Sequence, residues 1–257
     1  MIPYFTIEKI DLGFISVNAW GIMIALAFLV SVWVAYREAK RVELNPERIL
    51  DLGIIILIAA FIGARIFYIL NEWEQFSNDF TQAYRIWEGG LTIYGGFIGA
   101  ILGAVLYLKI HKLDFWRYAD VLAFVLPLGI SIGRIGCFMI HDHLGRITTL
   151  PWGFQMPSGE LRHETALYEI IFGLILFIVF LMFRKKEFFL KQSGRTFLSF
   201  LVLYGLFRLG SDFLRATDLK ISDPIVWLNL HPSQWFSLGA IILGSMILWY
   251  RARRVSN

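Results

Sequence analysis

The sequence predicts an all-α integral membrane protein that crosses the bilayer seven times. Three observations predict it. The apolar set AVILMFWYC makes up 57% of the 257 residues and charged residues only 17%, too little charge for a water-facing surface. The apolar residues fall in long blocks rather than being spread evenly. The lysines and arginines alternate between the segments that join those blocks.

A helix needs about 20 apolar residues to cross a bilayer. Seven blocks meet that length, at 14–36, 49–70, 90–108, 119–140, 164–183, 196–215 and 233–250. In lipid only helices and closed barrels satisfy the backbone. The blocks lack two-residue alternation and are too long for barrel strands, so they are read as helices. Segments 37–48, 109–118, 184–195 and 251–257 hold fifteen Lys and Arg, and segments 1–13, 71–89, 141–163 and 216–232 hold five. By the positive-inside rule the first group faces inward. The N-terminus is then outside and the C-terminus inside.

No internal repeat or long linker interrupts the chain, so residues 1–257 are expected to form one membrane domain. The first thirteen residues carry Glu8, Lys9 and Asp11 and no small-residue cleavage site follows, so no cleavable signal peptide is expected. Segment 141–163 is polar but contains Trp152 and Phe154. It is expected to fold over the membrane surface and the site, the alternative being an ordinary solvated loop. The single cysteine, Cys137, rules out an intramolecular disulfide. No nucleotide-binding fingerprint is present, and no nucleic-acid partner is expected.

Charge inside a span costs about 2.5–3.5 kcal/mol per arginine on insertion scales. Four of the 24 basic residues fall inside the blocks: Arg65, Arg134, Arg208 and Arg215. All lie in the half expected to face outward. Arg215 is close enough to its span end to snorkel to the headgroups; Arg134 and Arg208 lie a turn or more inside. Tyr204, Arg208, Asp212 and Arg215 are spaced to share one helical face, where Arg208 and Asp212 can pair. Gly95 and Gly96 follow Tyr94, and a backbone without side chains there is expected to admit a lipid headgroup. The other glycines of the third and fourth blocks are read as helix-packing positions. Guanidinium groups bind phosphate bidentately, so the ligand expected for an arginine-rich site in a lipid-embedded protein is a phospholipid headgroup.

Five runs, IGARIFYIL at 62–70, IWEGGLTIYGGFIG at 86–99, LPLGISIGRIGCF at 126–138, RHETALYE at 162–169 and YGLFRLGSDFLRATD at 204–218, resemble the prolipoprotein diacylglyceryl transferase family, in the family's order and over most of the chain. The resemblance implies seven helices and a site opening outward from a bacterial cytoplasmic (inner) membrane. It implies transfer of the diacylglyceryl group of phosphatidylglycerol to the lipobox cysteine of an exported prolipoprotein, giving a thioether and glycerol phosphate. The partners implied are phosphatidylglycerol, prolipoprotein signal peptides and membrane lipids. Arg134 would match the arginine that holds the phospholipid, and Arg208 the essential arginine of the late helix. Tyr94 falls where the family has His or Tyr, and Asp142 and Asp212 where it commonly has Glu. Arg65, Gly95, Gly96, Cys137, Asp212 and Glu169 complete the expected phospholipid-binding set. The chain departs from the family at Cys137 and Ile140, each in place of a usual Asn, and at His141-Asp142-His143, which replaces a more neutral stretch.

The implied chemistry needs a thiolate, since a free thiol has a pKa of about 8.5. It also needs stabilisation of the departing phosphate and alignment of the reacting atoms. Arg134 and Arg208 are the expected phosphate clamp. The general base stays open among His141, His143, Asp142, His163 and Tyr94, with His141 and Asp142 placed in the expected catalytic set beside Tyr94. No metal or other cofactor is expected. A zinc site at Cys137, His141, Asp142 and His143 is disfavoured because the residues are nearly contiguous, and a free membrane cysteine is usually a small apolar residue rather than a nucleophile. The rival classes are an anion transporter and a lipid-binding protein for anionic headgroups. A transporter would carry polar residues through both halves of its spans, whereas here the inner halves are almost purely apolar.

Overall fold

The computed structural model describes every residue except 12, 14, 15, 79, 86–88, 187–191, 220–226 and 257. Residues 86–88 of the run at 86–99 therefore lie outside the described residues. Among the described residues seven helices are long and apolar enough to cross a membrane, as the apolar blocks predict, and the protein is a multi-pass membrane protein. They are α1 (Ala19–Arg41), α2 (Glu47–Asn71), α4 (Ile93–Ile110), α5 (Phe115–Ile140), α6 (Thr165–Phe183), α7 (Arg195–Ser211) and α8 (Pro232–Ser256), with a short α3 (Trp73–Asn78) after α2. Helix α1 begins five residues later than predicted. Residues before it pair as a small ribbon, β1 (Lys9–Asp11) with β2 (Ser16–Asn18), and the Ala19 amide donates to the Glu8 carbonyl (2.9 Å). At its other end the helix continues past the apolar block to Arg41, which pairs with Glu38 one turn earlier (2.5 Å).

The chain divides into two compact units, residues 35–118 and residues 1–34 with 119–257. In the first, α2 and α4 pack through glycine. A Cβ on Gly95 would lie 2.5 Å from the Gly63 carbonyl oxygen and 2.5 Å from Phe67 Cβ. Such contacts are closer than real atoms allow, so only glycine permits the two backbones to approach this far. The space at Gly95 is therefore filled by α2, and the expectation that it admits a headgroup is corrected. Gly96 is looser, with its nearest neighbours 3.7 Å from an added Cβ. Lower on the same pair, the Tyr107 hydroxyl donates to Asp51 (2.8 Å) and accepts from Arg48 (3.3 Å).

The second unit holds α6, α7, α8 and the greater part of α1 and α5. Helices α5 and α6 meet where Ser131 donates to the Pro127 carbonyl of its own helix (2.9 Å) and to Ile170 of α6 (3.1 Å). Between those helices, segment 141–163 forms most of an antiparallel sheet in the order β3 (Leu144–Ile147), β5 (Leu161–Glu164), β4 (Phe154–Gln155). Its register sets Ile147 and Phe154 on either side of Arg162. The sheet is tied down on three sides. Gly145 bridges Arg215, Arg162 grips Asp218 with two nitrogens (2.6 and 3.0 Å), and Gln155 donates to Ile2 near the N-terminus (2.9 Å). The hydrogen bond from Arg162 holds the Asp218 carboxyl below its ordinary pKa. Segment 141–163 thus carries regular strand structure joined to residues outside it.

Backbone contact at Gly95 makes a sharp pair of predictions. Gly95→Ala forces α2 and α4 apart and should cost about 1–3 kcal/mol, the usual range for overpacking, read as a lowered thermal unfolding midpoint in detergent. Gly96→Ala, with room for the methyl group, should unfold close to wild type.

Candidate active site

Glu169 lies in the first turns of α6, a helix otherwise almost wholly apolar, and is 1% exposed. An isolated carboxylate there would be expensive. It is met by two guanidinium groups. Arg134 of α5 donates from Nε to Oε2 (2.7 Å), and Arg208 of α7 donates from Nη1 to Oε1. The Tyr204 hydroxyl, one turn before Arg208, adds a longer bond to Oε2 (3.4 Å). Arg208 then reaches with Nη2 to Asp212 Oδ1 (3.1 Å), and Arg215 reaches the same oxygen with Nε (3.0 Å). The Ser233 hydroxyl, at the start of α8, donates to Asp212 Oδ2 (2.6 Å).

The result is an unbroken chain, Arg134–Glu169–Arg208–Asp212–Arg215, with three guanidinium groups for two carboxyl groups. It is built from three spans, α5, α6 and α7 with the turn that follows, and Ser233 ties it to α8; because α5 leads to α6 and α7 leads to α8, the adjoining ends of each pair lie at one membrane face. Among the described residues Arg134 Nη2 and Arg208 Nε make no bond, although both residues are engaged elsewhere. Excess positive charge and unused N–H groups suit an oxyanion ligand.

The candidates separate clearly on this geometry. Arg134 and Arg208 are brought together on Glu169. Arg215 does not snorkel; it is 8% exposed and bound to Asp212. Glu169 and Asp212, expected in the phospholipid-binding set, each hold two of the arginines. Arg65 is corrected more fully. Its five N–H groups are directed at carbonyls of Gln82, Ala83, Arg85, Gly89 and Gly90, at 2.7–3.5 Å. No donor remains for a headgroup, and Arg65 serves to fasten the chain between α3 and α4. Tyr94 stands in the first turn of α4, 42% exposed, in the unit of residues 35–118; it and Gly96 are not part of the arginine chain's own unit.

The three histidines near the end of α5 have different surroundings. His141 adopts a left-handed backbone (φ 50°) that ends α5. Its ring is 5% exposed, bonded through Nδ1 to Glu164 (2.6 Å) and stacked on Phe154 at 3.8 Å, with Phe5 and Phe138 at its edges. Burial raises the Glu164 pKa and the bond from His141 opposes it. That packing holds His141 between α5 and the sheet, with its Nε2 buried and without a partner among the described residues. His163 pairs with the Tyr168 hydroxyl (2.9 Å), and burial lowers its pKa. His143, by contrast, bonds Asp142 through Nδ1 (2.5 Å), and each side chain is about 30% exposed.

Cys137, Asp142 and His143 bring their donor atoms within 4.8 Å of one another, the one such grouping found among the described residues. Arg134 Nη1 lies 3.7 Å from the Cys137 sulfur. A guanidinium so close opposes a cation at that point. Ser233 escaped the sequence reading, since 21 positions separate it from Asp212 without any pattern linking them. His143 was one of several candidate bases, and its placement beside Cys137, in place of His141, depends on the left-handed turn. Glu169 entered the sequence reading only through the family resemblance.

Fold and site together define a multi-pass membrane protein with a buried arginine–carboxylate cluster at one end of its helices. The family profile "Prolipoprotein diacylglyceryl transferase" matches residues 8–250. The chain is 34% identical over 252 residues to the phosphatidylglycerol–prolipoprotein diacylglyceryl transferase of Mannheimia succiniciproducens, covering 96% of this chain and 90% of that one. The protein of the same name from Listeria innocua is 34% identical over 253 residues (94% and 88%), and that of Thermosynechococcus vestitus 32% over 246 (92% and 89%). The chain belongs to the prolipoprotein diacylglyceryl transferase family.

The ion chain predicts an asymmetric cost. Glu169→Gln removes the shared carboxylate and leaves two guanidinium groups facing each other. It should cost about 3–5 kcal/mol, as breaking a buried pair does, seen as a lower chemical-denaturation midpoint in detergent. Adding Arg134→Gln to that variant should recover part of the loss, measured as a double-mutant coupling.

Proposed function

We propose that this chain transfers the diacylglyceryl group of phosphatidylglycerol to the thiol of a prolipoprotein's lipobox cysteine. The observation that carries this reading is the pair of arginines that share Glu169 while keeping N–H groups unused. Arg134 Nη2 and Arg208 Nε are the donors assigned to the lipid phosphate. The acceptor sulfur forms a bond to the glyceryl carbon as that carbon's bond to the phosphate oxygen breaks. The electron pair leaves with the oxygen, and glycerol phosphate departs. Charge gathers on the phosphate in the transition state, and preorganised guanidinium groups stabilise it there.

The site is assigned to the outer face of a bacterial cytoplasmic membrane, with the N-terminus outside. Support comes from the fifteen basic residues in the opposite set of segments against five here. Exported prolipoproteins would present their cysteine at that face. The sheet of segment 141–163 is assigned to lie over the site, supported by its bridge to Arg215. Tyr94 is proposed to hydrogen-bond substrate. The family relatives are named as transferases, which favours an enzyme over a transporter or passive lipid binder.

The test is reconstitution in phosphatidylglycerol vesicles with a lipobox peptide, followed by peptide mass. Wild type should add a diacylglyceryl group to the cysteine. Arg134→Lys retains the charge but loses the planar fork, and should slow transfer about 10²–10³-fold, the typical cost of one oxyanion donor. Full activity in that variant would contradict the clamp.

A further inference from the structure

Loss of a proton from the acceptor thiol has no assigned recipient in the clamp itself, because arginine cannot serve as a base at neutral pH. We propose that His143, oriented by Asp142, is the general base that accepts this proton. The inference rests on the transfer reading above. Neither His141 nor His163 suits the role. His141 is sealed by aromatic rings and only 5% exposed, so its Nε2, buried without a partner among the described residues, is out of reach of an incoming thiol. His163 is committed to Tyr168. His143 is half-buried and partly open to an incoming group, and it is placed beside the clamp by way of Cys137 and Arg134.

Local backbone produces this arrangement. The left-handed turn at His141 ends α5 and folds residues 142 and 143 back on Cys137, one turn inside the helix. The Thr165 hydroxyl donates to the His143 carbonyl (2.5 Å) and fixes the turn against the start of α6. With Nδ1 donating to Asp142, Nε2 is the atom that accepts the proton, and the Cys137 sulfur hydrogen-bonded to the ring gives way to the incoming thiol, the base-and-orienter logic of hydrolytic triads. The acceptor S–H gives its proton to Nε2 as sulfur attacks the glyceryl carbon. The imidazolium then returns the proton to the departing phosphate or to water, so no oxidant, reductant or further group is needed.

The charged and titratable groups acting on His143 are Asp142, Cys137 and Arg134. Burial and Arg134 disfavour the imidazolium, while hydrogen bonds to Asp142 and Cys137 favour it; the net effect raises the His143 pKa above 6.5. A base with a raised pKa is protonated, and therefore idle, on the acid side. Activity should climb as pH rises through the folded pKa. Removing the Asp142 carboxylate should lower that pKa and move the climb toward acid. Cysteine, histidine and aspartate are also residue types found around zinc, but the guanidinium beside the sulfur favours proton transfer over cation binding.

The experiment is the pH profile of kcat/KM for diacylglyceryl transfer, using phosphatidylglycerol vesicles and a synthetic lipobox peptide. His143→Gln should lower kcat about 10²–10⁴-fold, the usual range for a general base, and abolish the acidic limb. Its retention of phosphatidylglycerol in detergent should match wild type, which separates lost chemistry from lost folding. Asp142→Asn should shift the limb to lower pH, and added imidazole should partly restore His143→Ala. An unchanged acidic limb in His143→Gln overturns the proposal. So does loss of wild-type transfer on chelation with recovery on adding zinc, because the trio would then hold a metal. Wild type that transfers nothing at any pH defeats the transfer reading itself, and the base with it.

Discussion

Glu169 takes a guanidinium on each of its two oxygens while almost wholly shielded from solvent. That double pairing constrains the rest of the site. It fixes α5 and α7 against the beginning of α6, and it permits three arginines to gather where arginine is otherwise costly. The ordering matters as well. Each guanidinium engaged through one edge by a carboxylate has another edge turned elsewhere, so the acids position the cations and do not merely cancel them. Asp212 repeats the device one step along, with Ser233 fastening its second oxygen. A phosphate could complete what the two acids leave incomplete.

The apolar frame around this chain relies on different physics. Lipid supplies no hydrophobic drive for helices to associate, so close backbone contact and a few polar links must hold them. Gly95 against Gly63, and Ser131 shared between Pro127 and Ile170, are two versions of that solution. The small sheet adds a third kind of restraint. It joins the end of α5 to the start of α6 and is tied to the turn after α7 through Arg215 and Asp218. The elements bearing the arginines are thereby linked at the same end by backbone and by charge.

Much of this was readable from the sequence. Seven apolar blocks lead directly to seven helices, since lipid leaves the backbone few alternatives. Arg134 and Arg208 stood out because charge within a span demands a reason. The misreadings share one cause: a residue's type says what it can bind but not whether its groups are already taken. Arg65 looked like Arg134 in the sequence, yet its donors are used by backbone carbonyls. His141 looked as reactive as His143, yet stacked and edge-on aromatic rings shield it from solvent. The start of α1 moved because local strand pairing at Ser16–Asn18 competed with an apolar block that a helix could also have used.

The most direct measurement is an experimental structure of the protein with phosphatidylglycerol bound. The account predicts phosphate oxygens within hydrogen-bonding distance, about 2.7–3.2 Å, of Arg134 Nη2 and Arg208 Nε, with Glu169 still bridging both residues. A phosphate seated away from these two arginines, with the lipid otherwise in place for transfer, would contradict it.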